Sequence, residues 1–166
     1  MTRTGIGYDV HPFVSNRLLI LGGVIIPHPE GKGLAGHSDA DVLCHAIADA
    51  LLGAAGKRDI GYYFPNTDPS IQNISSLKIL EKAAQLIRED QGELINIDAT
   101  LIAEEPKIAS YVETMRSTIA MSLGIDPSRI GIKATTNEGL GFLGRGEGIA
   151  ALATASIAVH FALHDD

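Results

Sequence analysis

The chain has 166 residues, 45% hydrophobic and 20% charged, enough for one globular domain that buries a sizeable core without disulfide staples. Thirteen Lys and Arg against twenty Asp and Glu leave a formal charge of −7. That balance argues against a dedicated nucleic-acid binder, whose affinity would rest on paired phosphates, and no run reaches the ~20 apolar residues of a membrane-spanning helix.

The one cysteine, Cys44, can make no internal disulfide, which points to a reducing compartment. Met1-Thr2-Arg3 leads straight into a patterned segment with no secretory signal. The expected location is the cytoplasm, or a plastid where a transit peptide has been removed.

Eighteen glycines punctuate short elements with no repeat between them, so a single domain is expected over residues 1–166. A first strand is predicted from Arg3 to His11, stopped by Pro12. Leu18–Leu21 and Val24–Ile26 flank Gly22-Gly23, a two-residue hairpin signal. A helix is predicted from Asp39 to Ala55, capped by Ser38 and stopped at Gly56. A second helix, Ser76 to Gln91, carries Leu77, Leu80, Ala84 and Ile87 on one stripe.

Ile95 to Ala103 alternates as a strand, with Ile95, Ile97, Ala99, Leu101 and Ala103 on one face. Pro106 reads as the first-turn proline of a third helix, with Ile108, Val112, Met115 and Ile119 as its stripe and Gly124 as its C-cap. A short strand, Ile130 to Thr136, leads into a glycine-rich loop, Gly139–Gly148. In Ile149 to Phe161 the alanines favour helix and the alternation favours strand; the more polar face of Leu152, Thr154 and Ser156 decides for strand. The order of elements predicts an α+β fold, a mixed sheet packed against helices with a small β-hairpin.

Asp9-Val10-His11 is the sharpest local feature. Residues two apart on a strand project together, so this carboxylate and imidazole share a face. With a third ligand they would suit a zinc site that keeps an open position, although a D-x-H also arises by chance. The candidate third ligand is His45, on a stripe with Asp41 and Asp49 in an otherwise apolar helix. Such a stripe is either a solvated face or a buried one, and a buried polar group needs a partner. Cys44 points about 100° away from His45 and reads as core.

Ser38 with Asp41 three residues on is a weak capping box; equally, His37, Ser38 and free helix N–H groups could meet a phosphate. Gly139 to Gly144 formally matches G-x-G-x-x-G, but no further helix and acid-bearing strand follow, so the dinucleotide reading fails. What remains places Phe142 and Arg145 beside Thr135, Thr136, Asn137 and Glu138. That cluster is either a solvent-facing turn or a holder for a phosphate–magnesium pair. No activated serine nucleophile is visible, which fits a chemistry where metals align phosphates and the substrate supplies the nucleophile.

Taken together, GYDVHPF at Gly7–Phe13, HSDADVLCHAIADALLGAAG at His37–Gly56, DIGYYFPNTDP at Asp59–Pro69, IAEEPKI at Ile102–Ile108 and KATTNEGLGFLGRGEGIA at Lys133–Ala150 resemble one family. It is that of the 2-C-methyl-D-erythritol 2,4-cyclodiphosphate synthases of the non-mevalonate isoprenoid pathway. The resemblance covers essentially the whole chain in order. It implies a lyase that takes 4-diphosphocytidyl-2-C-methyl-D-erythritol 2-phosphate, whose 2-phosphate attacks the β-phosphorus, expelling CMP and closing a cyclic diphosphate.

By that resemblance zinc, or another divalent transition metal, falls to Asp9, His11 and His45, and magnesium or manganese to Glu138. His37 and Thr136 match residues that steady the transition state, with Val10 and Ser38 also beside the substrate. The methylerythritol part is expected against Asp59, Ile60 and Gly61 and against Phe64, Pro65, Asn66, Thr67 and Asp68. Cytidine is expected against Ala103, Glu104, Glu105, Pro106, Lys107, Ile108, Ala109 and Thr135. Phe142 and Arg145 are similar to residues lining a central cavity that could take an isoprenoid diphosphate. The implied assembly is a homotrimer with sites between subunits. Asn66 departs from the aspartate that family members commonly carry, and weaker substrate binding is expected there. Two other readings of the same residues are a metal-dependent nucleotide diphosphohydrolase and a non-catalytic module that binds zinc and cytidine nucleotides.

Overall fold

The computed structural model describes residues 1–159. Seven strands are β1 (Thr2–Ser15), β2 (Ile20–Leu21), β3 (Val24–Ile25), β4 (Lys32–Leu34), β5 (Gly92–Ile102), β6 (Ile130–Thr135) and β7 (Gly148–Val159). Five α-helical segments are α1 (Val42–Ala54), α2 (Ile60–Tyr63), α3 (Ser76–Glu89), α4 (Val112–Leu123) and α5 (Gly141–Gly144). The main sheet has the order β4-β1-β7-β5-β6, while β2 and β3 form a separate ribbon. β5 and β6 run parallel and the other neighbours antiparallel, which makes the sheet mixed as expected. No helix among the described residues is long and apolar enough to cross a membrane.

The last segment is a strand, and its alternation is the reason. Ala151, Ala153, Ala155 and Ile157 are buried, while Leu152 and Thr154 face outward. Opposite Ala153 and Ala155 in the register lie Gly7 and Gly5 of β1. The two strands therefore offer α1 a floor of glycine and alanine, and the helix backbone comes down almost onto it. A Cβ at Gly7 would run into the Ala46 carbonyl oxygen and sit 2.8 Å from Ala50 N; one at Gly5 would run into the Ala50 carbonyl. Covered by the sheet below and by α3, α1 is buried nearly all round, which is why its sequence is apolar on almost every face. The far end of the predicted segment, Phe161, lies outside the described residues.

Several predicted bounds move. β1 continues through Pro12 to Ser15, because the proline falls where the pairing partner changes. Pro12 is the last residue paired with β7, its carbonyl accepts from Ala35 N at 2.9 Å, and Phe13 begins the pairing with β4. The missing N–H thus costs no ladder bond. The first predicted helix starts three residues late, at Val42, and its cap is Asp41 in place of Ser38. Ser38 Oγ instead accepts from Ala40 N, and Ala40 takes a positive φ of 58° that a helix excludes. Ser75 caps α3, which ends at Glu89.

In β5 a bulge between Leu94 and Asn96 reverses the alternation, so Leu94 joins the core where Ile95 was expected. Pro106 does not open a helix. It is buried in a bend, and α4 begins at Val112 after a short 3-10 turn over Ala109–Tyr111. Gly124 does close α4, in the left-handed conformation at φ 65°. The glycine-rich loop contains one helical turn, α5.

Candidate active site

Along β1 the odd-numbered residues face α1. Asp9 and His11 follow Gly7 on that face, and where the helix passes them it presents His45. Asp9 Oδ2 lies 2.9 Å from His11 Nε2 and 2.9 Å from His45 Nδ1, and the two ring nitrogens are 3.3 Å apart. Asp9 Oδ1 accepts from Val10 N at 2.9 Å, which turns the other oxygen toward the imidazoles. These three residues are the group among the described residues whose ligand atoms could hold a metal ion.

The donor set fits a divalent cation. A tetrahedral ion with bonds of ~2.0 Å keeps its ligand atoms ~3.3 Å apart, close to the triangle found here. One carboxylate with two imidazoles is a three-ligand set that leaves a position open. The electrostatics agree. Burial works against a charge on Asp9, yet hydrogen bonds and charge from His11 and His45 hold its carboxyl well below the usual range. Burial likewise opposes protonation of His45, and the Asp9 carboxylate outweighs it, raising the imidazole pKa. Three electron-pair donors this close call for a positive charge between them.

The acidic stripe of α1 turns inward, so the solvated-face reading is excluded. Asp49 Oδ1 accepts from Ile60 N at 2.9 Å and ties α2 to α1. Asp41 is fully buried and accepts from Gly22 N at 2.9 Å, Gly23 N at 2.7 Å and Cys44 N at 3.1 Å. Burial pushes its carboxyl up while these backbone donors pull it down, with burial ahead. Gly22 and Gly23 have φ of 59° and 74°, so the hairpin presents two adjacent N–H groups to one carboxylate. Asp41→Asn keeps the shape but aims an amide donor at one of them. The expected loss is about 1–3 kcal/mol, measured by urea unfolding of the metal-free protein.

The trio opens into a cleft of about 240 Å³. Its polar wall is Gly36, His37 and Ser38; the facing wall includes Ile60, Gly61, Phe64 and Asn66, with Ile71, Ile74 and Ile79 at the base. Arg17 donates to the carbonyls of Gly36 (2.7 Å) and Ser38, which fixes the loop carrying His37. Asp59 caps α2 through Tyr62 N, and Asp68 accepts from Ser70 N, so both carboxylates shape this wall; Pro65 and Thr67 lie exposed between them. The Val10 side chain points to the opposite face of the sheet, and only its backbone belongs to the site.

A second cleft is lined by Ala103, Glu104, Pro106–Ala109 and Ala134–Thr136. Glu104 Oε1 accepts from Asn137 N at 2.8 Å, fastening the turn that follows β6. Thr136 Oγ1 accepts from Glu138 N at 3.2 Å and lies 3.1 Å from Glu138 Oε1, so hydroxyl and carboxylate are held together. Glu105 lines neither cleft. It borders a third, with Phe13, His28, Lys32 and Arg145, while Phe142 is 44% exposed on α5.

The structure thus brings Asp9, His11, His37, Ser38, His45, Ile60, Gly61, Phe64 and Asn66 together, and leaves Thr135 and Thr136 at a separate cleft with Glu138 beside Thr136. β6 stands three strands from β1, or about 14 Å at the usual strand spacing. Sequence reasoning missed Arg17, the isoleucine base and Ser76, whose buried hydroxyl lies against His45 Nε2 at 2.9 Å. For Ser76 the only available signal was a second serine directly after a capping one.

Comparison with known proteins identifies the family. The model of the YgbB family matches residues 2–158. A protein of Akkermansia muciniphila named 2-C-methyl-D-erythritol 2,4-cyclodiphosphate synthase is 62% identical over 155 residues, 93% of this chain and 90% of that protein. One of the same name from Alkaliphilus oremlandii is 55% identical, over 93% of this chain and 98% of its own. Among solved structures, IspF of Plasmodium falciparum in complex with CDP superposes with a TM-score of 0.83 at 33% identity, covering 96% of this chain and 97% of that one. The bifunctional IspDF of Campylobacter jejuni gives a TM-score of 0.91 at 46% identity; 96% of this chain is covered, but only 43% of that one.

Proposed function

The chain belongs to the YgbB family, and we propose that it catalyses the reaction its relatives are named for, forming 2-C-methyl-D-erythritol 2,4-cyclodiphosphate. The substrate is 4-diphosphocytidyl-2-C-methyl-D-erythritol 2-phosphate, and the second product is CMP. The observation that carries this reading is the convergence of Asp9, His11 and His45 in a cleft walled by His37, Ser38 and Asn66. An oxygen of the 2-phosphate forms a bond to the β-phosphorus. The bond from that phosphorus to the oxygen shared with the α-phosphorus breaks, and this oxygen leaves on CMP. The attacking group is already an anion, so no protein nucleophile or strong base is required.

Asp9, His11 and His45 would hold zinc and Glu138 magnesium or manganese; bound there, the cations supply the charge that lets two phosphates approach and the leaving oxygen depart. The chain itself orients the substrate. Ser38 accepts from Ala40 N, so its own hydrogen can serve a phosphate oxygen. His37, exposed at the cleft mouth, can donate to the same group. Asn66, Phe64 and Gly61 receive the methylerythritol part, and backbone groups of Ala103–Ala109 with Thr135 receive cytosine. Thr136 keeps Glu138 in place, donating its one hydroxyl hydrogen to Oε1 and accepting from the Glu138 N–H.

The two clefts share no lining residue and sit three strands apart, which supports a site completed by a second copy of the chain. In the homotrimer, the metal end belongs to one subunit and the cytidine end to the next. The exposed Ile6, Tyr8, Val10 and Leu152, on the sheet face away from α1, are then covered. Phe142 and Arg145 would lie near the axis, offering an apolar surface and a cation to an isoprenoid diphosphate. A cytoplasmic place of action is part of this reading, consistent with the buried free thiol of Cys44.

Phosphorus NMR of the protein incubated with zinc, magnesium and the cytidylyl substrate tests it. A cyclic diphosphate with CMP is expected. Open-chain phosphates would make the protein a diphosphohydrolase, and saturable binding without turnover a non-catalytic binder. Glu138→Gln is expected to raise the magnesium concentration at half-maximal rate on the order of tenfold, since an amide oxygen is a weaker ligand than a carboxylate. An unaltered magnesium titration would remove Glu138 from the metal.

A further inference from the structure

We infer that Ser76 and Asp39 act as positioning residues for the metal centre, by fixing which nitrogen of His45 carries its proton. His45 Nδ1 faces Asp9, so its other nitrogen, Nε2, decides the state of the ring. Two hydroxyls lie within reach of Nε2, Ser76 Oγ at 2.9 Å and Ser38 Oγ at 3.1 Å. They are not equivalent. Ser76 Oγ also bonds Asp39 Oδ1, and Asp39 Oδ2 accepts from Ser76 N at 2.8 Å. An ionised carboxylate only accepts, so the single hydroxyl hydrogen of Ser76 goes to Asp39. The lone pair left on Oγ must then accept, and the donor facing it is His45 Nε2–H.

This assigns the proton to Nε2 and leaves Nδ1 with a free electron pair pointing at the Asp9–His11 side, the form a cation needs. Ser38 has no carboxylate behind it; it already accepts from Ala40 N, and its hydrogen remains free for substrate. Asp39 is itself fixed, since Oδ1 also accepts from Asp41 N at 3.2 Å. The relay therefore joins the loop before α1 to the first turn of α3. Ser76 is wholly buried, so no solvent substitutes for it.

The inference rests on Asp9, His11 and His45 binding metal, and its test is read on metal, not turnover. Metal-free wild type, Ser76→Ala, Ser76→Thr and Asp39→Asn are titrated with zinc against a chelator, and visible spectra of their cobalt forms are recorded. Ser76→Ala is expected to bind zinc 10- to 100-fold more weakly, the usual span for an orienting partner, with a shifted cobalt spectrum. Asp39→Asn should weaken binding less, and Ser76→Thr, which keeps the hydroxyl, should restore most of the affinity. Folded Ser76→Ala with wild-type affinity and spectrum would overturn the inference. Were that variant not to fold, unchanged affinity in Asp39→Asn would overturn it equally. Wild-type protein that takes up no zinc or cobalt would instead remove the metal site itself.

Discussion

Gly7→Ala is expected to cost roughly 3 kcal/mol or more and to empty the Asp9–His11–His45 site of metal, although residue 7 touches none of the three ligands. The added methyl would occupy the space of the Ala46 carbonyl oxygen and lie 2.8 Å from Ala50 N. Both atoms are helix backbone, which cannot turn aside as a side chain can. α1 must lift from the sheet, and Ala46 is the residue after His45. A lift of about 1 Å takes Nδ1 out of ligand range, because metal bonds tolerate only a few tenths of an ångström. Gly53→Ala is the control. It lies in the last turn of the same helix, but its Cβ meets nothing nearer than 3.9 Å, so alanine there leaves α1 seated on the sheet. Calorimetry and metal analysis of the two variants should therefore diverge. Full zinc content in Gly7→Ala would show that the helix moves without moving the ligands.

This dependence on close approach separates what the sequence disclosed from what it concealed. Period-two alternation identified β7 and the three-residue stretch from Asp9 to His11, because a strand's side-chain direction is fixed by position alone. His45 could be suspected because a polar residue in so apolar a helix demands a partner. The identity of each partner is another matter, since it depends on which loops fold back. Read locally, Asp41 is an acid within a helix; its burial is explained by Cys44 N together with the hairpin's two N–H groups, nineteen and eighteen residues away. Local propensity reads Pro106 as a first-turn proline, whereas the structure buries it in the bend before α4. Ser76 lies 31 residues from His45, and no local pattern encodes a pairing over that separation.

His45→Ala is expected to abolish stoichiometric zinc binding and to lower kcat/KM on the order of 10³-fold or more, while the fold persists. The reasoning is geometric. His45 supplies the only helix-borne corner of the ligand triangle, so its removal leaves Asp9 and His11 on one strand, an incomplete set for a tetrahedral ion. The cost in metal-free stability should stay near 1–3 kcal/mol, because the void is lined by Ser38 and Ser76 hydroxyls that a water molecule can satisfy. Retained zinc by metal analysis would defeat the assignment. A proton and a cation compete for the same electron pair on Nδ1, and the Asp9 carboxylate raises the His45 pKa against the opposing effect of burial. Wild-type zinc affinity should therefore weaken as pH falls, beginning above the ordinary imidazole value of 6.5. Zinc added in that range should release protons, measurable in weakly buffered solution. His45→Ala, which lacks the competing nitrogen, should release none from this position.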